Sequence, residues 1–189
     1  YIPWHSDQIF TVRPNHGAML RVVQRPSRGG KTGWIDTIAA YEALSDEVKE
    51  RIKDIELVYE LCQDHMHAKY GRDETIKHAK PSDGAGFDKL APVAHPAVAI
   101  HPINGKKILN VSPLHLVRVV DMEEEESDAL IKELIKHVTN MECSYIHDWE
   151  PNDMMLWDNW RTLHTAYGYP ANEIRKGMRT QMDGGIDMG

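Results

Sequence analysis

Short strand-like runs separated by turn-forming residues constrain the fold of this chain more than any other feature. β-Branched and apolar residues fill the runs, and glycine, proline, asparagine or aspartate interrupts them. Two helical segments are inserted between these runs. This pattern is typical of a β-sandwich or of a jelly-roll barrel that carries helices, so we predict a mainly β fold. The predicted strands are AMLRVVQRP (18–26), SYIHDW (144–149), DMMLWDN (153–159) and GMRTQMD (177–183).

Turn signals define a hairpin and a loop. Asn104-Gly105 lies between VAIHP (98–102) and KILNVS (107–112), and this arrangement predicts a β-hairpin. SRGGKTGW (27–34) contains three glycines and predicts a loop.

Helical periodicity occurs twice. TIAAYEALSDEVKERI (37–52) predicts a helix followed by a second short helix capped by Ser45. SDALIKELIKHVTN (127–140) predicts the clearest helix, with Ser127 as its N-cap. The stretch from 63 to 96 has no period, and we predict a long insertion or lid there. The predicted apolar stripe of the helix at 127–140 is Leu130, Ile131, Leu134, Ile135 and Val138.

Length and composition limit the possible classes of protein. A chain of 189 residues suggests one domain, 1–189. Its net charge of −7 argues against a general nucleic-acid binder. No apolar run approaches the ~20 residues that span a bilayer. The two cysteines, Cys62 and Cys143, form no CxxC motif, which suits a reducing cytoplasm and leaves a single disulfide open. We therefore expect a cytoplasmic protein without nucleic-acid or membrane partners.

The tetrapeptide WHSD (4–7) contains the first candidate metal ligands. On a strand, His5 and Asp7 would point to the same face, because side chains alternate with period two. Alone, such a pair is more often a surface feature. With His164 it makes two imidazoles and one carboxylate, the ligand set of non-heme Fe(II) oxygenases.

Two arginines follow the distal histidine. Arg175 lies 11 residues after His164, and Arg179 lies four residues after Arg175, which places both on one face of an extended strand. Guanidinium groups bind carboxylates or sulfonates with two parallel hydrogen bonds. The pair therefore favours an anionic cosubstrate or substrate, although Arg179 could instead bind a neighbouring carboxylate.

Taken together, these motifs resemble the taurine/2,4-D dioxygenase (TauD/TfdA) family of Fe(II)- and 2-oxoglutarate-dependent oxygenases. The resemblance covers nearly the whole chain. The segments that carry it are WHSD, RPSRGGKT, DTIAAYEALSDE, AIHPINGKKIL, HDWEPNDMMLWDNWRTLH and RKGMRTQM.

The resemblance implies the fold, the cofactors and the roles of individual residues. The expected fold is a double-stranded β-helix of the jelly-roll, cupin-like type, and the expected cofactors are Fe(II), 2-oxoglutarate and O₂. A small anionic substrate and a homo-oligomer, dimer or tetramer, are the expected partners. The residues implied are His5, Asp7 and His164 for the metal, Thr32 and Arg175 for 2-oxoglutarate, and Arg179, Tyr1 and Trp4 for the substrate.

The chain also departs from the family pattern. Only four residues precede His5, so we expect the chain to correspond to the C-terminal two-thirds of a family domain, lacking its N-terminal part. Trp160 stands where the family often has arginine. Related halogenases have glycine or alanine in place of Asp7, so Asp7 favours hydroxylation.

The expected function is hydroxylation of a small organic anion, with succinate and CO₂ as coproducts. The anion would be a sulfonate, an alkyl sulfate, or an aryloxy or alkyl carboxylate. Two alternatives stay open: a non-catalytic anion-binding member of the same fold, and a zinc-dependent hydrolase that uses the same three ligands. A separate zinc site at CQDHMH (62–67) is disfavoured, because a second pair of ligands is missing.

Overall fold

The computed structural model describes residues 1–72, 75, 90–140, 142 and 144–183. Within these ranges the chain forms twelve strands and three α-helices. The strands are β1 (Ile2–His5), β2 (Gly17–Gln24), β3 (Thr32–Asp36), β4 (Glu56–Tyr59), β5 (Val93–Pro96), β6 (Val98–Ile100), β7 (Lys107–Leu109), β8 (Leu116–Val119), β9 (Tyr145–His147), β10 (Met154–Asp158), β11 (Thr162–Ala166) and β12 (Lys176–Met182). The helices are α1 (Thr37–Glu42), α2 (Asp46–Ile52) and α3 (Glu124–Thr139).

Two antiparallel sheets face each other across the interior. The first has the strand order β1-β11-β3-β9, and the second has the order β10-β2-β12. Side chains from both sheets meet between them: the ring of Trp34 on β3 lies 5.6 Å from that of Trp157 on β10. Two further sheets, β5-β4-β8 and β6-β7, complete the described part of the molecule. The mainly β, jelly-roll architecture predicted from the sequence is confirmed.

The largest apolar core lies on the other face of the first sheet. Ile35 on β3 and Leu163 on β11 alternate with the interior-facing residues and are 0% and 2% exposed. They pack with apolar side chains of the helices and of the β5-β4-β8 sheet. This core fixes the first sheet from behind, so its inner face is held rigidly for the site. The buried members from α3 are Leu130, Ile131, Leu134 and Val138, with Ile135 partly buried against them.

Helix boundaries agree with the sequence in one place and differ in another. Ser45 caps α2, and its Oγ accepts the Val48 N–H at 3.3 Å, as predicted. The prediction that Ser127 caps α3 is wrong, since α3 begins at Glu124. The Ser127 hydroxyl is fully buried and accepts the backbone N–H of Val119 at 2.9 Å instead. It joins the helix to β8 rather than capping the helix.

Three strand assignments need correction. The predicted loop at 27–34 is a loop only as far as Lys31, because Thr32 opens β3. β1 ends at His5, so Asp7 lies in the turn that follows and not on the strand. The predicted insertion at 63–96 ends in β5, which pairs with β4.

The remainder of that insertion falls largely outside the described residues, since 73–74 and 76–89 are not described. Its role as a lid and the single-domain assignment for 1–189 stay predictions. Cys143 also lies outside the described residues, so the disulfide stays open. The hairpin prediction is confirmed, because β6 and β7 pair and Gly105 has φ = +70°. Among the described residues, no helix combines the length and the apolar character that a membrane span requires.

Candidate functional site

The three predicted metal ligands lie together between the two sheets. β1 pairs with β11 so that His5 stands directly opposite His164, and their ring centroids are 4.1 Å apart. Asp7 Oδ1 lies 3.6 Å from the Nε2 atom of each imidazole. One ligand atom from each residue lies within 4.8 Å of the others, and this is the one such group among the described residues.

The protonation of the two histidines leaves nitrogen lone pairs available. The His5 Nδ1–H donates to the carbonyl of Pro3 at 2.7 Å, so Nε2 is the unprotonated nitrogen. Burial lowers the pKa of His5 to about 4, and it also holds the pKa of His164 well below its usual range. Both rings are therefore neutral near pH 7, which is the form that binds metals.

The ring of His164 is the strongest candidate for a metal ligand in this cluster. Both of its ring nitrogens are buried, and neither makes a hydrogen bond with the protein. Buried polar atoms normally have a partner, so an exception in a cluster of metal-binding side chains needs an explanation. A divalent cation between the three residues would satisfy one of these nitrogens, and the donor set fits such an ion.

Arg179 reaches the same cluster from the second sheet. It lies on β12 opposite Leu20, and its guanidinium contacts the carboxylate of Asp7. The guanidinium also lies 5.2 Å from the ring centroid of Trp157. Burial lowers the pKa of Arg179 to about 10, so it keeps its charge at neutral pH. In this structure Arg179 therefore pairs with a neighbouring carboxylate, which was the alternative to its role as a substrate contact.

Thr32 and Arg175 form a second constellation on the same side of the first sheet. Arg175 Nε donates to the Gly30 carbonyl at 2.9 Å, and a terminal nitrogen donates to Thr32 Oγ1 at 3.2 Å. The indole of Trp149 donates to the same oxygen at 2.9 Å. Because Thr32 Oγ1 accepts two hydrogen bonds, its own proton can be donated to an anion.

Strand register relates this pair to the metal cluster. His164 stands opposite Trp34, and Thr32 is two residues from Trp34 on β3. The side chains of Thr32 and His164 therefore share one face, about 7 Å apart along the strand direction. Burial lowers the pKa of Arg175, which remains a cation at neutral pH.

The protein surface beside Arg175 is rich in positive charge. A cavity of about 280 Å³ opens there, lined among others by Arg25, Arg28 and Lys31. Asp148 is the one carboxylate in its lining. Such a surface attracts anions towards Arg175.

Tyr1 and Trp4 lie away from this inner face. A Cβ on Gly33 would stand 2.8 Å from the Trp4 ring and 3.1 Å from the Thr165 methyl group, so Trp4 packs on the outer face of β3. Tyr1 lies against Tyr167, with ring centroids 6.4 Å apart. The structure thus does not bring either residue to the cluster, and their role as substrate contacts stays a prediction that the geometry does not support.

A second cavity, of about 200 Å³, opens directly on the cluster. His5 and Asp7 form one wall, and Phe10, His115 and Gln181 line the rest, together with Ile2, Gln8, His65 and Leu114. Burial lowers the pKa of His115 to about 3, so its ring is neutral. Sequence reasoning missed these lining residues, because only the fold brings the segments around 10, 115 and 181 together.

Other candidate residues have structural contacts. Trp160 is buried and stacks on His16 with centroids 4.0 Å apart, so it is part of the core. His67 pairs with Asp64, and the Cys62 thiol donates to the Asp64 carbonyl. Within the described part of the chain these residues form no second metal-binding group.

The described residues form a jelly-roll fold with one buried group of two imidazoles and a carboxylate that could hold a metal ion. The family described as taurine catabolism dioxygenase TauD, TfdA family matches residues 1–181, and the chain belongs to that family. The chain is similar to pentalenolactone F synthase of Streptomyces arenae, with 29% identity over 184 residues, 93% of this chain and 59% of that protein. It is also similar to the (S)-phenoxypropionate/alpha-ketoglutarate dioxygenase of Sphingobium herbicidovorans, with 32% identity over 172 residues, 91% of this chain and 58% of that protein.

A solved structure shows the same fold. The chain matches AAD-2, crystallised with Mn(II) and N-oxalylglycine, with a TM-score of 0.83 and 28% identity over 98% of this chain and 70% of that one. The chain spans a little under 60% of the length of the two curated relatives.

Proposed function

We propose that this chain carries the metal and cosubstrate sites of an Fe(II)- and 2-oxoglutarate-dependent dioxygenase that hydroxylates a small organic anion. The observation that carries the proposal is the buried group of His5, Asp7 and His164, in which both nitrogens of His164 have no hydrogen-bond partner. Membership of the TauD, TfdA family and the alpha-ketoglutarate dioxygenase among its relatives support it.

Metal binding would use the two neutral imidazoles and the Asp7 carboxylate. Three ligands on one side leave positions for the cosubstrate and for O₂. When bound, Fe(II) with 2-oxoglutarate supplies O₂ activation, with succinate and CO₂ as coproducts. The chain's own contribution is to hold the three ligands in a buried position, where His5 and His164 are 8% and 5% exposed.

The cosubstrate would extend from the cluster towards Thr32 and Arg175. The Arg175 guanidinium is held by Gly30 and Thr32 and faces a cationic cavity, which suits the far carboxylate of 2-oxoglutarate. The Thr32 hydroxyl would donate a second hydrogen bond to that carboxylate, because its oxygen already accepts two.

The substrate would bind in the cavity formed by Phe10, His115 and Gln181. Arg179 contacts Asp7, but a guanidinium has five N–H donors and can bind a second anion. We infer a small sulfonate, alkyl sulfate, or aryloxy or alkyl carboxylate as the substrate class, and one relative is named for (S)-phenoxypropionate. A homo-oligomeric state and a cytoplasmic location stay predictions, the first testable by the molar mass from light scattering.

The test is anaerobic addition of Fe(II) and 2-oxoglutarate to the purified protein, followed by visible absorption. We expect a weak charge-transfer band that His164→Ala abolishes and Arg175→Ala weakens. Arg21→Ala is the matched control, because Arg21 is bonded to Asn152 on the outer side of the second sheet. Screening of sulfonates and aryloxy acids for succinate release would then identify the substrate.

Absence of the band in folded wild-type protein would contradict the proposal. If calorimetry then showed 2-oxoglutarate binding without metal, the alternative of a non-catalytic anion-binding protein would be supported. The observation that favours that alternative is the Asp7–Arg179 contact, since it neutralises one candidate ligand.

A further inference from the structure

Asp7 occupies its position without support from a strand. β1 ends at His5, so no ladder hydrogen bonds fix the backbone of Asp7. The next residue, Gln8, has φ = +56°, in the left-handed region that costs a non-glycine residue about 1 kcal/mol or more. The turn that presents the Asp7 carboxylate must therefore be held by contacts from elsewhere in the chain.

Asn159 supplies those contacts. It lies in the turn between β10 and β11 and is 1% exposed. Its Oδ1 accepts the backbone N–H of Asp7 at 2.9 Å, and its Nδ2 donates to the Asp7 carbonyl at 3.0 Å. Nδ2 also donates to the carbonyl of Asn15 at 3.0 Å. The Asn159 amide thus forms the same pair of hydrogen bonds with the Asp7 backbone that a neighbouring strand would form. If the oxygen and nitrogen of this amide were exchanged, its NH₂ group would face the Asp7 N–H, so the orientation is fixed.

The backbone of Asn159 strengthens the same connection. Its carbonyl accepts the Ser6 hydroxyl at 3.0 Å, and its N–H donates to the carbonyl of His16 at 2.8 Å. Ser6 is held on its other side, where its N–H donates to Ser112 Oγ at 2.9 Å. A single buried residue therefore joins the Asp7 turn to the turn that leads into β11, the strand that carries His164.

We infer that Asn159 is a positioning residue for the metal site, and that its side-chain amide sets where the Asp7 carboxylate stands relative to His164. It does this through the backbone of Asp7 and contacts no metal itself. The inference rests on the proposed function, because it concerns the same three ligands. Residues that orient metal ligands in this way typically change metal affinity about 10- to 100-fold when they are replaced.

A double-mutant cycle with Co(II) tests this role directly. Co(II) serves as the probe because its visible absorption reports the ligand set and two imidazoles can still bind it. In the wild-type background, Asn159→Ala is expected to weaken Co(II) binding about 10-fold or more and to alter the absorption. In the Asp7→Ala background the same substitution should have no further effect, because the residue acts only through Asp7.

Asn110→Ala is the matched control for a general loss of stability. The Asn110 amide donates to the Pro96 carbonyl at 3.1 Å and has no bond to the Asp7 turn. This variant should lower the unfolding midpoint while Co(II) affinity stays unchanged. If Asn159→Ala does not fold, Asn159→Ser, which retains a hydroxyl at this position, allows the same cycle.

Two results would overturn the inference: unchanged Co(II) affinity in Asn159→Ala, or an equal loss in both backgrounds. Failure of the proposed function gives a different pattern. In that case wild-type protein would bind Co(II) no more tightly than His164→Ala, whatever residue stands at 159.

Discussion

The proposed metal end and the proposed cosubstrate end of the site share one sheet face, but their side chains differ in how far they are already hydrogen-bonded. At the metal end, His164 is buried without any hydrogen bond from its ring, and burial keeps it and His5 neutral. At the other end, Arg175 and Thr32 are bonded to each other and to neighbouring groups, next to a cationic cavity. At the metal end, the His164 ring nitrogens have lone pairs that no protein group uses. At the cosubstrate end, the side chains already form a hydrogen-bonded network, and an anion would add to it.

This difference predicts how each end responds to substitution. Removal of a group at the metal end deletes a ligand that no neighbouring side chain replaces, so metal affinity should fall steeply. Removal of a group at the cosubstrate end weakens a charge-assisted contact, so the effect is graded. Four experiments, from the largest expected effect to the smallest, test the comparison.

His164→Ala should lower Co(II) or Fe(II) affinity by more than about 100-fold, the upper end of what orienting residues contribute. Succinate formation should fall to background, while the protein remains folded, because the deleted nitrogens have no hydrogen bonds to lose. Calorimetric metal titration measures the first effect and circular dichroism the second. His137→Ala, on α3 with its ring bonded to the Ala40 carbonyl, should retain wild-type affinity.

Arg175→Ala should raise the KM for 2-oxoglutarate about 100-fold, since a hydrogen bond to a charged group contributes up to ~3 kcal/mol. Arg175→Lys should recover only part of this loss, because an ammonium cannot bind a carboxylate with two parallel bonds. Initial rates at varied 2-oxoglutarate concentration measure the KM of each variant. A metal affinity that fell as much as the cosubstrate affinity would show that the two ends are not independent.

The metal-free protein should lose stability as the pH falls. His115 has its pKa lowered by burial from 6.5 to about 3, so the unfolded chain binds its proton first. Its contribution is complete above pH 6.5 and is lost progressively as the pH falls towards 3. At pH 5 the loss is about 2 kcal/mol, or 1.5 pH units at 1.36 kcal/mol each.

Urea unfolding at pH 7.5 and pH 5 measures this effect. His115→Gln should reduce the difference in unfolding free energy between the two pH values by about 2 kcal/mol. His67→Gln is the control, because the His67 side chain is 82% exposed. An equal pH dependence in wild type and His115→Gln would show that His115 is not held neutral by burial.

Gly30→Ala should produce the smallest change, a several-fold weaker affinity for 2-oxoglutarate with unchanged metal affinity. Gly30 has φ = +67°, and a Cβ there would lie 3.1 Å from Arg175 Cδ. The backbone strain alone costs about 1–2 kcal/mol of stability. Gly105→Ala carries the same strain at φ = +70° with open space around it, so it should destabilise without changing 2-oxoglutarate affinity.

The sequence predicts which residues form the site better than it predicts the backbone structure that holds them. The spacing of His5, Asp7 and His164 indicates a metal cluster because the ligand set itself is distinctive, and the structure brings the three together. The predicted placement of Asp7 on a strand is wrong, because the turn after His5 is held by Asn159. No local pattern could reveal a contact between residues 152 positions apart.

The error at Thr32 has a similar cause. Glycines predict a loop through 34, but Gly33 lies within β3 because the Trp4 ring packs where a side chain would stand. The position of Ser127 before an apolar stripe predicts a helix cap, whereas its hydroxyl accepts a hydrogen bond from the Val119 N–H on β8. In both cases a tertiary contact replaces the local preference on which the prediction is based.

The most direct test of the metal and cosubstrate sites is a crystal structure of the protein with Mn(II) and N-oxalylglycine. We expect one anomalous peak between His5, Asp7 and His164, with the far carboxylate of the ligand on Arg175 and Thr32. An ion bound elsewhere, or a ligand that does not span the two ends of the sheet face, would contradict the proposed site.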